Sequence, residues 1–539
     1  MQILTSAEMA ATDWRTADEF GVPLPTLMEN AGTAVARFCL HWFAAAEDVV
    51  VFCGKGNNGG DGFVVARLLA SAGVVVRVVL LGRAEEVKGE AAGALRRMRE
   101  KASSVVLHEA ADETALRALE DMLEDAELIV DAVVGTGFRP PLRGLAVVAR
   151  EMIAEAAAPV VAVDLPSGWD ADSTAQTAEG AYRADAVVTF TAPKNAHVFG
   201  HLTRETFGPV VVAPIGSPIE AVVSASELSW TGSAKSIAED PRDVNSNKGM
   251  YGHVLVVGGS YGTAGAPAMA SLAALRTGAG LVTAAVPKSL LGLVAAVAPE
   301  LMMAPLKEGA EGAVSLENLA PDGLEALIRA KRISVVALGP GLSQRGEAGK
   351  FARELVAKIK LPMVIDADAL NAFEGRAAEL NGQGRVMVLT PHPGEMARLA
   401  GMTVKEVEAD RIGLARRFAI EHQLTLVLKG WRTLVAYPDG SVAVNTTGNP
   451  AMAKGGSGDI LTGIVAAMLA QFPEQAAEAV EAAVYLHGLA GDFAAQAMDE
   501  HTVLATDTVA HLSDAFRYRA KDADGMMWIC GLNDAAAAQ

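Results

Sequence analysis

The chain has 539 residues and a formal net charge of −19 at pH 7; 51% of its residues are hydrophobic and 20% are charged. This length predicts at least two domains, because a single hydrophobic core rarely organises so many residues. The composition excludes an intrinsically disordered chain. The negative charge argues against nucleic acid and anionic membranes as partners, because its field would repel both, although backbone N–H groups can still hold a small phosphorylated ligand.

The cysteine content and the distribution of apolar residues predict in which cellular compartment the protein is found. The three cysteines, Cys39, Cys53 and Cys530, have no paired spacing, which argues against a disulfide framework or a zinc site. The start of the chain has no signal-peptide pattern, and no uncharged apolar run reaches membrane-spanning length. The sequence therefore predicts a soluble protein of the reducing cytoplasm, and we expect it to form a homo-oligomer.

In the first part of the chain, apolar runs alternate with helical patterns. The run at residues 49–53 stops at a glycine-rich loop, and a helical face with Phe63, Ala66 and Leu69 follows. Further apolar runs cover residues 74–81, 128–134, 160–165 and 186–190. This alternation is typical of right-handed βαβ units in a parallel sheet, so we predict a Rossmann-like, doubly wound α/β domain over residues 1–222.

The periodicity fades after residue 217, which predicts a linker at residues 223–238 and a second α/β domain over residues 239–520. The apolar runs of this second domain cover residues 253–257, 334–338, 363–366, 386–389, 424–428, 433–437 and 442–445, and long helical patterns follow at residues 458–471 and 477–498. The tail after about residue 521, which ends in alanines at 535–538, is expected to be a frayed terminus in which Trp528 and Cys530 carry no information.

The loop at residues 54–62 lies between a predicted strand and a predicted helix. It holds five glycines and two asparagines in nine residues and matches G-x-G-x-x-G. The dinucleotide fingerprint also requires an acid after the next strand, where this chain has Gly82 and Arg83, so a hydride-transfer function is disfavoured. A tight turn that only packs a helix needs fewer glycines, and we therefore interpret the segment as a ligand loop.

Two more strand ends carry polar residues. Asp131 precedes a second glycine loop at residues 135–137, and Asp164 precedes Ser167. Each acid alone would be typical of a turn or a cap. Because ligands of open α/β sheets bind at the carboxyl ends of the strands, three polar loops at these ends predict one ligand site.

These motifs resemble those of NAD(P)H-hydrate epimerases, and the likeness covers about residues 1–217, including residues 28–32. In that family the loops hold the hydrated nicotinamide nucleotide beside a potassium ion. The resemblance implies that Asn58, Asp131 and Ser167 hold K⁺, and oxygen ligands suit such a hard cation. The implied ligand-binding residues are Asn57, Asn58, Gly59, Gly60, Asp61, Gly135, Thr136, Gly137, Phe138, Arg139, Pro140, Pro141 and Asp164.

Acid–base chemistry at this first site is assigned to Asp164, which would invert the hydrated ring carbon, with Lys194 as a second candidate. An alternative hypothesis makes the first domain a binding or scaffold module without catalysis. The polar loops at Asp131 and Asp164 count against it, because a scaffold does not require converging acids.

A second glycine loop at residues 455–458 leads into Asp459 and an apolar helical pattern. Backbone N–H groups at a helix N-terminus bind anions, and the helix dipole strengthens that binding. An isolated Gly-Asp pair would only stabilise the helix start. Next to a phosphate loop, however, an acid can deprotonate an attacking hydroxyl, so Asp459 is predicted to be catalytic.

This loop, at its place in the domain, resembles the ribokinase-like superfamily. Segments at residues 247–253, 258–267, 339–341, 390–395 and 429–433 narrow the likeness to ADP-dependent NAD(P)H-hydrate dehydratases, from about residue 240 to residue 516. The resemblance implies that Ala266, Gly341, His392 and Asp459 contact the hydrated nucleotide. It also implies that Lys429, Gly430, Trp431, Arg432, Thr433 and Gly458 bind ADP and its product AMP.

Two interpretations in the second domain stay open. His392 between two prolines could be a rigid turn residue rather than a substrate contact. Asp366 and Asp368, at a strand end, could orient the Mg²⁺ that accompanies ADP, or they could cap the following helix.

Together the two resemblances imply repair of hydrated NADH and NADPH. The first domain would interconvert the R and S hydrates, and the second would phosphorylate the S hydrate with ADP and eliminate phosphate, which leaves NAD(P)H and AMP. The main alternative is a ribokinase-like sugar or vitamin kinase fused to a non-catalytic nucleotide-binding module. Such a kinase would use Asp459 in the same way but would release a stable phosphorylated product.

Overall fold

The computed structural model describes residues 1–205, 207–309 and 311–533. The chain divides into two compact units. The first unit comprises Met1–Leu228 together with the C-terminal residues from Arg519 onward, and the second unit comprises Ser229–Tyr518.

The first unit alternates strands and helices, as the sequence predicts. Its helices are α1 (Ser6–Asp18), α2 (Leu24–Trp42), α3 (Asn57–Ser71), α4 (Gly89–Lys101), α5 (Glu113–Arg117), α6 (Leu145–Glu155) and α7 (Asn195–Phe199). Its strands are β1 (Asp48–Cys53), β2 (Val75–Leu81), β3 (Val106–Ala110), β4 (Leu128–Ala132), β5 (Val160–Val163), β6 (Ala186–Phe190) and β7 (Val210–Ala213). These seven strands pair in parallel in the order β7-β6-β5-β4-β1-β2-β3.

Helices cover both faces of this sheet. Successive side chains of a strand point to opposite faces, and in β1 Val49 and Val51 enter one buried cluster with α2, α3 and α4, while Val50 and Phe52 enter another with α5 and α6. A strand buried on both faces must be apolar throughout, which is why these strands read as continuous Val/Ile/Leu runs. The predicted doubly wound α/β architecture is confirmed.

The second unit is built on a larger sheet. Its strands are β8 (Leu228–Trp230), β9 (His253–Val257), β10 (Leu281–Pro287), β11 (Met302–Leu306), β12 (Val335–Leu338), β13 (Met363–Ile365), β14 (Met387–Leu389), β15 (Thr425–Leu428), β16 (Leu434–Ala436) and β17 (Val442–Val444), in the order β11-β10-β9-β12-β13-β14-β15-β16-β17-β8. Pairing is parallel from β11 to β15, and β15, β16 and β17 pair antiparallel. The predicted α/β class is confirmed here too.

The helices of the second unit follow the same alternation. They are α8 (Gly265–Thr277), α9 (Leu291–Ala295), α10 (Leu324–Lys331), α11 (Ala348–Lys358), α12 (Asp368–Asn371), α13 (Pro393–Ala400), α14 (Val404–Ala409), α15 (Arg411–His422), α16 (Ser457–Gln471), α17 (Ala476–Ala497), α18 (Ala505–Ala510) and α19 (Leu512–Arg517). From Ile460 to Ala470 every residue of α16 is buried, as expected of a helix that is apolar on all sides. At Gly463 an added Cβ would lie 2.1 Å from the Ala270 carbonyl oxygen, so α8 and α16 are in backbone contact.

The expectation about the tail of the chain needs correction, and the predicted linker contains regular structure. Residues 521–533 are not a frayed terminus, because β18 (Met527–Cys530) adds to the first sheet antiparallel to β7 and buries Trp528. The alanines at 535–538 lie outside the described residues. Within residues 223–238, expected to be a linker, the structure has β8 and a 3₁₀ helix at Thr231–Ala238, so much of that segment is regular structure. In the described part of the chain, no helix is both long enough and apolar enough to cross a membrane.

Candidate active sites

The first unit has a cavity of about 950 Å³ at the carboxyl ends of the neighbouring parallel strands β1, β4, β5 and β6. The predicted ligand residues that line it are Asn57, Asn58, Asp61, Gly135, Thr136, Gly137, Phe138, Arg139 and Asp164. Gly59, Gly60, Pro140 and Pro141 belong to the same two loops but are not lining residues. The prediction that the polar loops converge on one place is confirmed.

Glycines make the first loop possible. An added Cβ at Gly54 would lie 2.0 Å from the Val133 carbonyl oxygen, and one at Gly59 would lie 1.9 Å from the Gly54 carbonyl oxygen. The backbone therefore folds against itself at distances that no side chain tolerates. Helix α3 starts directly after this turn, at Asn57, so its first N–H groups face the cavity and suit an anionic ligand.

Asp164 is held by a dense set of hydrogen bonds. Its Oδ2 accepts the backbone N–H of Thr136 at 3.0 Å and the Thr136 hydroxyl, and its Oδ1 accepts the Thr189 hydroxyl at 2.8 Å and the Lys194 ammonium at 2.9 Å. Burial alone would raise the pKa of Asp164, but the Lys194 ammonium and these hydrogen bonds outweigh it and hold the pKa well below its usual range. The Asp164 φ of 67° lies in the left-handed region, which is typical of functional sites for a non-glycine residue.

His197 contacts the backbone of both Lys194 and Asp164. Its Nδ1 accepts the Lys194 backbone N–H at 2.9 Å, so the proton of the neutral ring lies on Nε2, which is 2.7 Å from the Asp164 carbonyl oxygen. Burial, and then the charge of Lys194, lower the pKa of His197 to about 4. The ring is therefore neutral near pH 7 and orients both the acid and the lysine.

The three residues predicted to hold potassium offer oxygen atoms. The Ser167 hydroxyl donates to Asp131 Oδ1 at 2.6 Å, and the Ser167 backbone N–H donates to Asp131 Oδ2 at 2.7 Å. Asn58 lies beside Gly135, where an added Cβ would be 3.0 Å from Asn58 Oδ1 and 3.2 Å from Asp164 Oδ2. Asn58 Nδ2 is buried without a hydrogen-bond partner among the described residues. Carboxylate, hydroxyl and amide oxygens are the ligand types that suit a hard cation such as K⁺. Both Asp131 oxygens already accept hydrogen bonds from Ser167, so these residues would have to exchange those hydrogen bonds for the ion.

Sequence reasoning missed the contribution of the first helices. Asp13 of α1 lines the cavity, and so do Leu24, Leu27 and Met28 of α2. A signal for Asp13 was available, because Ser6, Met9 and Asp13 follow one another at helical spacing and place an acid on the buried face of α1.

In the second unit, five parallel strands end at one place. β9, β12, β13, β14 and β15 are neighbours in the sheet and lead into the segments that hold the predicted site residues. Gly341, Asp366, His392 and Lys429 follow these strands directly or within three positions, and residues 430–433 continue from Lys429. Ala266 lies in the first turn of α8, after the loop that follows β9, and the N-terminus of α16 carries Gly458 and Asp459.

Gly456 is the N-cap of helix α16, and its φ of 98° favours glycine. Asp459 lies in the first turn, and its carboxyl group makes no hydrogen bond to any residue of the described ranges. Burial, and then the charge of Asp366, raise the pKa of Asp459 to about 7. A carboxyl group with a pKa near neutrality and no protein partner suits proton transfer to and from a ligand.

Lys429 connects the α16 N-terminus to a buried acid. Its Nζ lies 3.0 Å from Asp366 Oδ1 and 3.9 Å from Glu395 Oε2, and the Thr462 hydroxyl donates to Asp366 Oδ2 at 2.7 Å. An added Cβ at Gly458 would lie 3.1 Å from Lys429 Nζ. Burial alone would lower the pKa of Lys429, but the charges of Asp366 and Glu395 outweigh burial and raise this pKa. A positive charge therefore lies beside the phosphate loop.

Asp366 and Asp368 do not fit a preformed magnesium site. Both oxygens of Asp366 accept hydrogen bonds within the protein, and Asp368 Oδ2 accepts the Ser343 backbone N–H at 2.8 Å. No cluster of three or more His, Cys, Asp or Glu side chains suited to a metal occurs among the residues that the structure describes. Neither acid is the N-cap of α12, which is Ala367, although Asp368 lies in the first turn of that helix.

His392 has a clear local role. It is the N-cap of α13: its Nδ1 accepts the Gly394 N–H at 3.0 Å, while Glu395 Oε2 accepts the His392 N–H at 2.8 Å. Its side chain is half-exposed, so the cap leaves the ring edge with Nε2 available. Gly341 accepts a hydrogen bond of 2.7 Å from the Thr263 hydroxyl, which ties its loop to the loop before α8.

The loop at residues 429–433 depends on an arginine that sequence reasoning missed. Arg411 donates to the carbonyl oxygens of Leu428 and Lys429, each at 3.3 Å, and to that of Trp431. The Arg432 guanidinium lies 4.3 Å from the centre of the Trp431 ring. Trp431 is 37% exposed, so this loop presents a flat aromatic surface typical of base-stacking sites.

Comparison with known proteins finds relatives that match both units of the chain. A family model described as NAD(P)H-hydrate dehydratase matches residues 254–514, and one described as YjeF-related protein N-terminus matches residues 25–196. The bifunctional NAD(P)H-hydrate repair enzyme Nnr of Moorella thermoacetica is 40% identical over 526 residues, which are 96% of this chain and 97% of that protein. This chain belongs to the bifunctional NAD(P)H-hydrate repair enzyme family. The predicted family is confirmed.

A second relative is equally similar in sequence. The bifunctional NAD(P)H-hydrate repair enzyme Nnr of Pyrobaculum aerophilum is 40% identical over 526 residues, covering 96% of this chain and 98% of its own length. Among solved structures, the ADP/ATP-dependent NAD(P)H-hydrate dehydratase from Bacillus subtilis, co-crystallised with ATP and Mg²⁺, is 31% identical and covers 53% of this chain and 97% of that chain, with a TM-score of 0.44.

Proposed function

We propose that this member of the family repairs hydrated NADH and NADPH in two steps. The first unit interconverts the R and S hydrates, and the second unit converts the S hydrate to NAD(P)H in an ADP-dependent reaction that releases AMP and phosphate. The observation that carries the second step is Asp459, a partner-free carboxyl group with a pKa of about 7 at a helix N-terminus that also faces Lys429.

The chemistry of the second site follows from this geometry. Hydroxide is a poor leaving group, so the ring hydroxyl is first phosphorylated. Asp459 accepts the hydroxyl proton as the oxygen attacks the terminal phosphoryl group of ADP, and AMP leaves. The Gly455–Gly458 amides and the Lys429 ammonium stabilise the phosphoryl oxygens, and loss of phosphate with a ring proton restores the double bond.

The predicted ligand assignments at this site are part of the proposal. Ala266, Gly341 and His392 contact the hydrated nicotinamide ring, and residues 429–433 with Gly458 hold ADP. The exposed Trp431 ring supports a stacking contact with adenine. Mg²⁺ enters with ADP, since Asp366 and Asp368 are engaged within the protein.

In the first unit, the cavity and its loops support the epimerase assignment. The N-terminus of α3 and the loop at residues 135–141 hold the nucleotide, and Asp164, paired with Lys194, faces the ring. K⁺ bound by Asn58, Asp131 and Ser167 would fix the two loops and supply positive charge near the ligand phosphates.

The deciding experiment uses the full chain with mixed R and S hydrates of NADH. With ADP, we expect nearly all of the hydrate to regain the absorbance of the reduced ring, with equal amounts of AMP and phosphate. A parallel reaction with ATP measures the nucleotide preference. A stable phosphorylated product of a sugar or a vitamin, without recovery of NADH, would instead establish the kinase alternative.

Asp459→Asn separates the two activities. It should abolish NADH formation while R and S still equilibrate in the absence of ADP. Glu474→Gln, an exposed acid beyond the other end of α16, is the matched control and should behave as the wild type. Loss of R/S equilibration in Asp459→Asn would contradict the division of activities between the units.

A further inference from the structure

Two carboxyl groups in the first cavity have no hydrogen-bond or ion-pair partner among the residues that the structure describes. Asp13 of α1 and Asp61 of α3 both line the cavity, and within the described ranges neither side chain makes a hydrogen bond or an ion pair. One oxygen of Asp13, Oδ1, is fully buried in this state. A buried polar atom without a partner is costly, and such atoms in native structures are commonly reserved for a ligand.

Asp164 lines the same cavity, but unlike Asp13 and Asp61 its carboxyl group is fully hydrogen-bonded. Both of its oxygens accept hydrogen bonds from Thr136, Thr189 or Lys194. An acid in that state stays ionised and is a weak base. Asp164 is therefore suited to orienting Lys194 and stabilising charge, but poorly suited to exchanging protons with a substrate.

Burial and the neighbouring carboxyl groups favour the protonated forms of Asp13 and Asp61. Burial, and then the nearby Asp164, raise the pKa of Asp13 to about 6, although the Lys194 ammonium opposes the shift. Burial, followed by the charges of Asp164 and Asp13, raises the pKa of Asp61 well above its usual range. Lys194 therefore acts on both Asp13 and Asp164, and its ammonium group is already paired with Asp164.

We propose that Asp13 and Asp61 form the proton-transferring pair of the epimerase reaction, with Asp13 as a catalytic residue supplied by the first helix of the chain. This inference rests on the proposed epimerase function. It transfers the acid–base role from Asp164 to two residues that can reach a ligand without breaking protein hydrogen bonds.

The pair accounts for every proton in a ring-opening route. The ionised member removes the proton of the C6 hydroxyl while the C6–N1 bond breaks, and the electron pair goes to N1. The protonated member donates its proton to N1, which leaves an open-chain aldehyde. Rotation of the aldehyde presents its other face, N1 attacks C6, and the two acids reverse their roles. The pair ends with one proton, as it began, and no further reactant is needed.

The test measures R/S equilibration with purified S hydrate, the full chain and no ADP, so that the second unit is idle. Asp13→Asn should lower kcat for epimerisation by at least ~10²-fold with little change in KM, because it removes proton transfer and not binding. Asp61→Asn should lower kcat similarly. Asp18→Asn, an exposed acid on the same helix, is the matched control and should keep the wild-type rate.

Two internal readouts keep the outcome unambiguous. Because Asp13 donates and accepts no hydrogen bond among the described residues, the Asp13→Asn variant should keep the melting temperature of the wild type. ADP-dependent conversion of S hydrate by the same sample shows in addition that the second unit is active. If the wild type fails to equilibrate R and S faster than buffer, the epimerase assignment itself fails. If the wild type succeeds and Asp13→Asn matches it, only the proposed acid–base role of Asp13 is overturned.

Discussion

At the scale of single residues, the environment of a carboxyl group decides its role. Asp164 and Asp459 are both predicted from motifs to be catalytic. Asp164 is buried beside Lys194 with hydrogen bonds on both oxygens, and its pKa is lowered, so it stays ionised. Asp459 is buried near Asp366 and has no hydrogen-bond partner among the described residues, and its pKa is raised to about 7. Motifs name the residue type at a position. They do not report which neighbours are folded against it, and those neighbours set the pKa.

Asp459 predicts the pH dependence of dehydration. Its raised pKa of about 7 means that the carboxylate needed as a base is lost as the pH falls through neutrality. We expect kcat/KM for the S hydrate with ADP to be flat above pH 8 and to fall about tenfold per pH unit below pH 6. A profile measured from pH 5 to pH 9 with saturating ADP checks this, and a constant rate down to pH 5 would contradict it.

At the scale of secondary-structure elements, helix packing holds the phosphate loop in place. Helix α16 carries the loop at its N-terminus and contacts α8 so closely that only glycine fits at residue 463. Sequence analysis predicted α16 at residues 458–471, close to the observed Ser457–Gln471. It assigned no packing role to Gly463, because the close approach is made by Ala270 on a helix almost 200 residues earlier.

Gly463→Ala should therefore force α8 and α16 apart. The added Cβ would meet the Ala270 carbonyl oxygen at 2.1 Å, and overpacking of this kind costs about 1–3 kcal/mol of unfolding free energy. Thermal unfolding of the second unit and its ADP-dependent rate should both fall. Gly292→Ala in α9 has no atom within 4 Å of the new Cβ and should leave both unchanged, so equal behaviour of the two variants would exclude the proposed contact.

At the scale of the whole molecule, the chain returns to its first unit after completing the second. Strand β18 pairs with the edge strand β7, and the Trp528 ring lies 4.6 Å from that of Trp42 and 6.3 Å from that of Phe38. The first unit therefore needs both ends of the chain, and a fragment that stops at Tyr518 removes a buried tryptophan from its core.

Trp528→Ala should destabilise the first unit by about 3–5 kcal/mol, the usual cost of deleting a large buried aromatic side chain. We expect a lower melting temperature for the first unit and faster loss of epimerase activity on heating, with the second unit unaffected. Trp14→Ala is the control, since Trp14 is 60% exposed. Equal melting temperatures for the two variants would contradict the packing described for β18.

Local sequence patterns were sufficient to predict the strands and loops that carry the candidate sites. Strands buried on both faces must be apolar, and phosphate loops must be rich in glycine, so β1, β4, β5, β9 and α16 with their loops could be predicted from neighbouring residues alone. Strands β3, β7, β8, β10, β11 and β18 were not predicted. For the edge strand β3 the reason is that it is only partly buried, so its residues Val106–Ala110 lack a continuous apolar run.

The sequence by itself determined the fold class, the two glycine-rich ligand loops and the family. Tertiary structure decided which acids line the first cavity, that Arg411 holds the loop at residues 429–433, and that β18 belongs to the first sheet. The physical reason is the distance along the chain between the residues that interact. Backbone turns and strand burial depend on residues adjacent in the chain, whereas the pKa of Asp13 and the burial of Trp528 depend on groups that folding alone brings together.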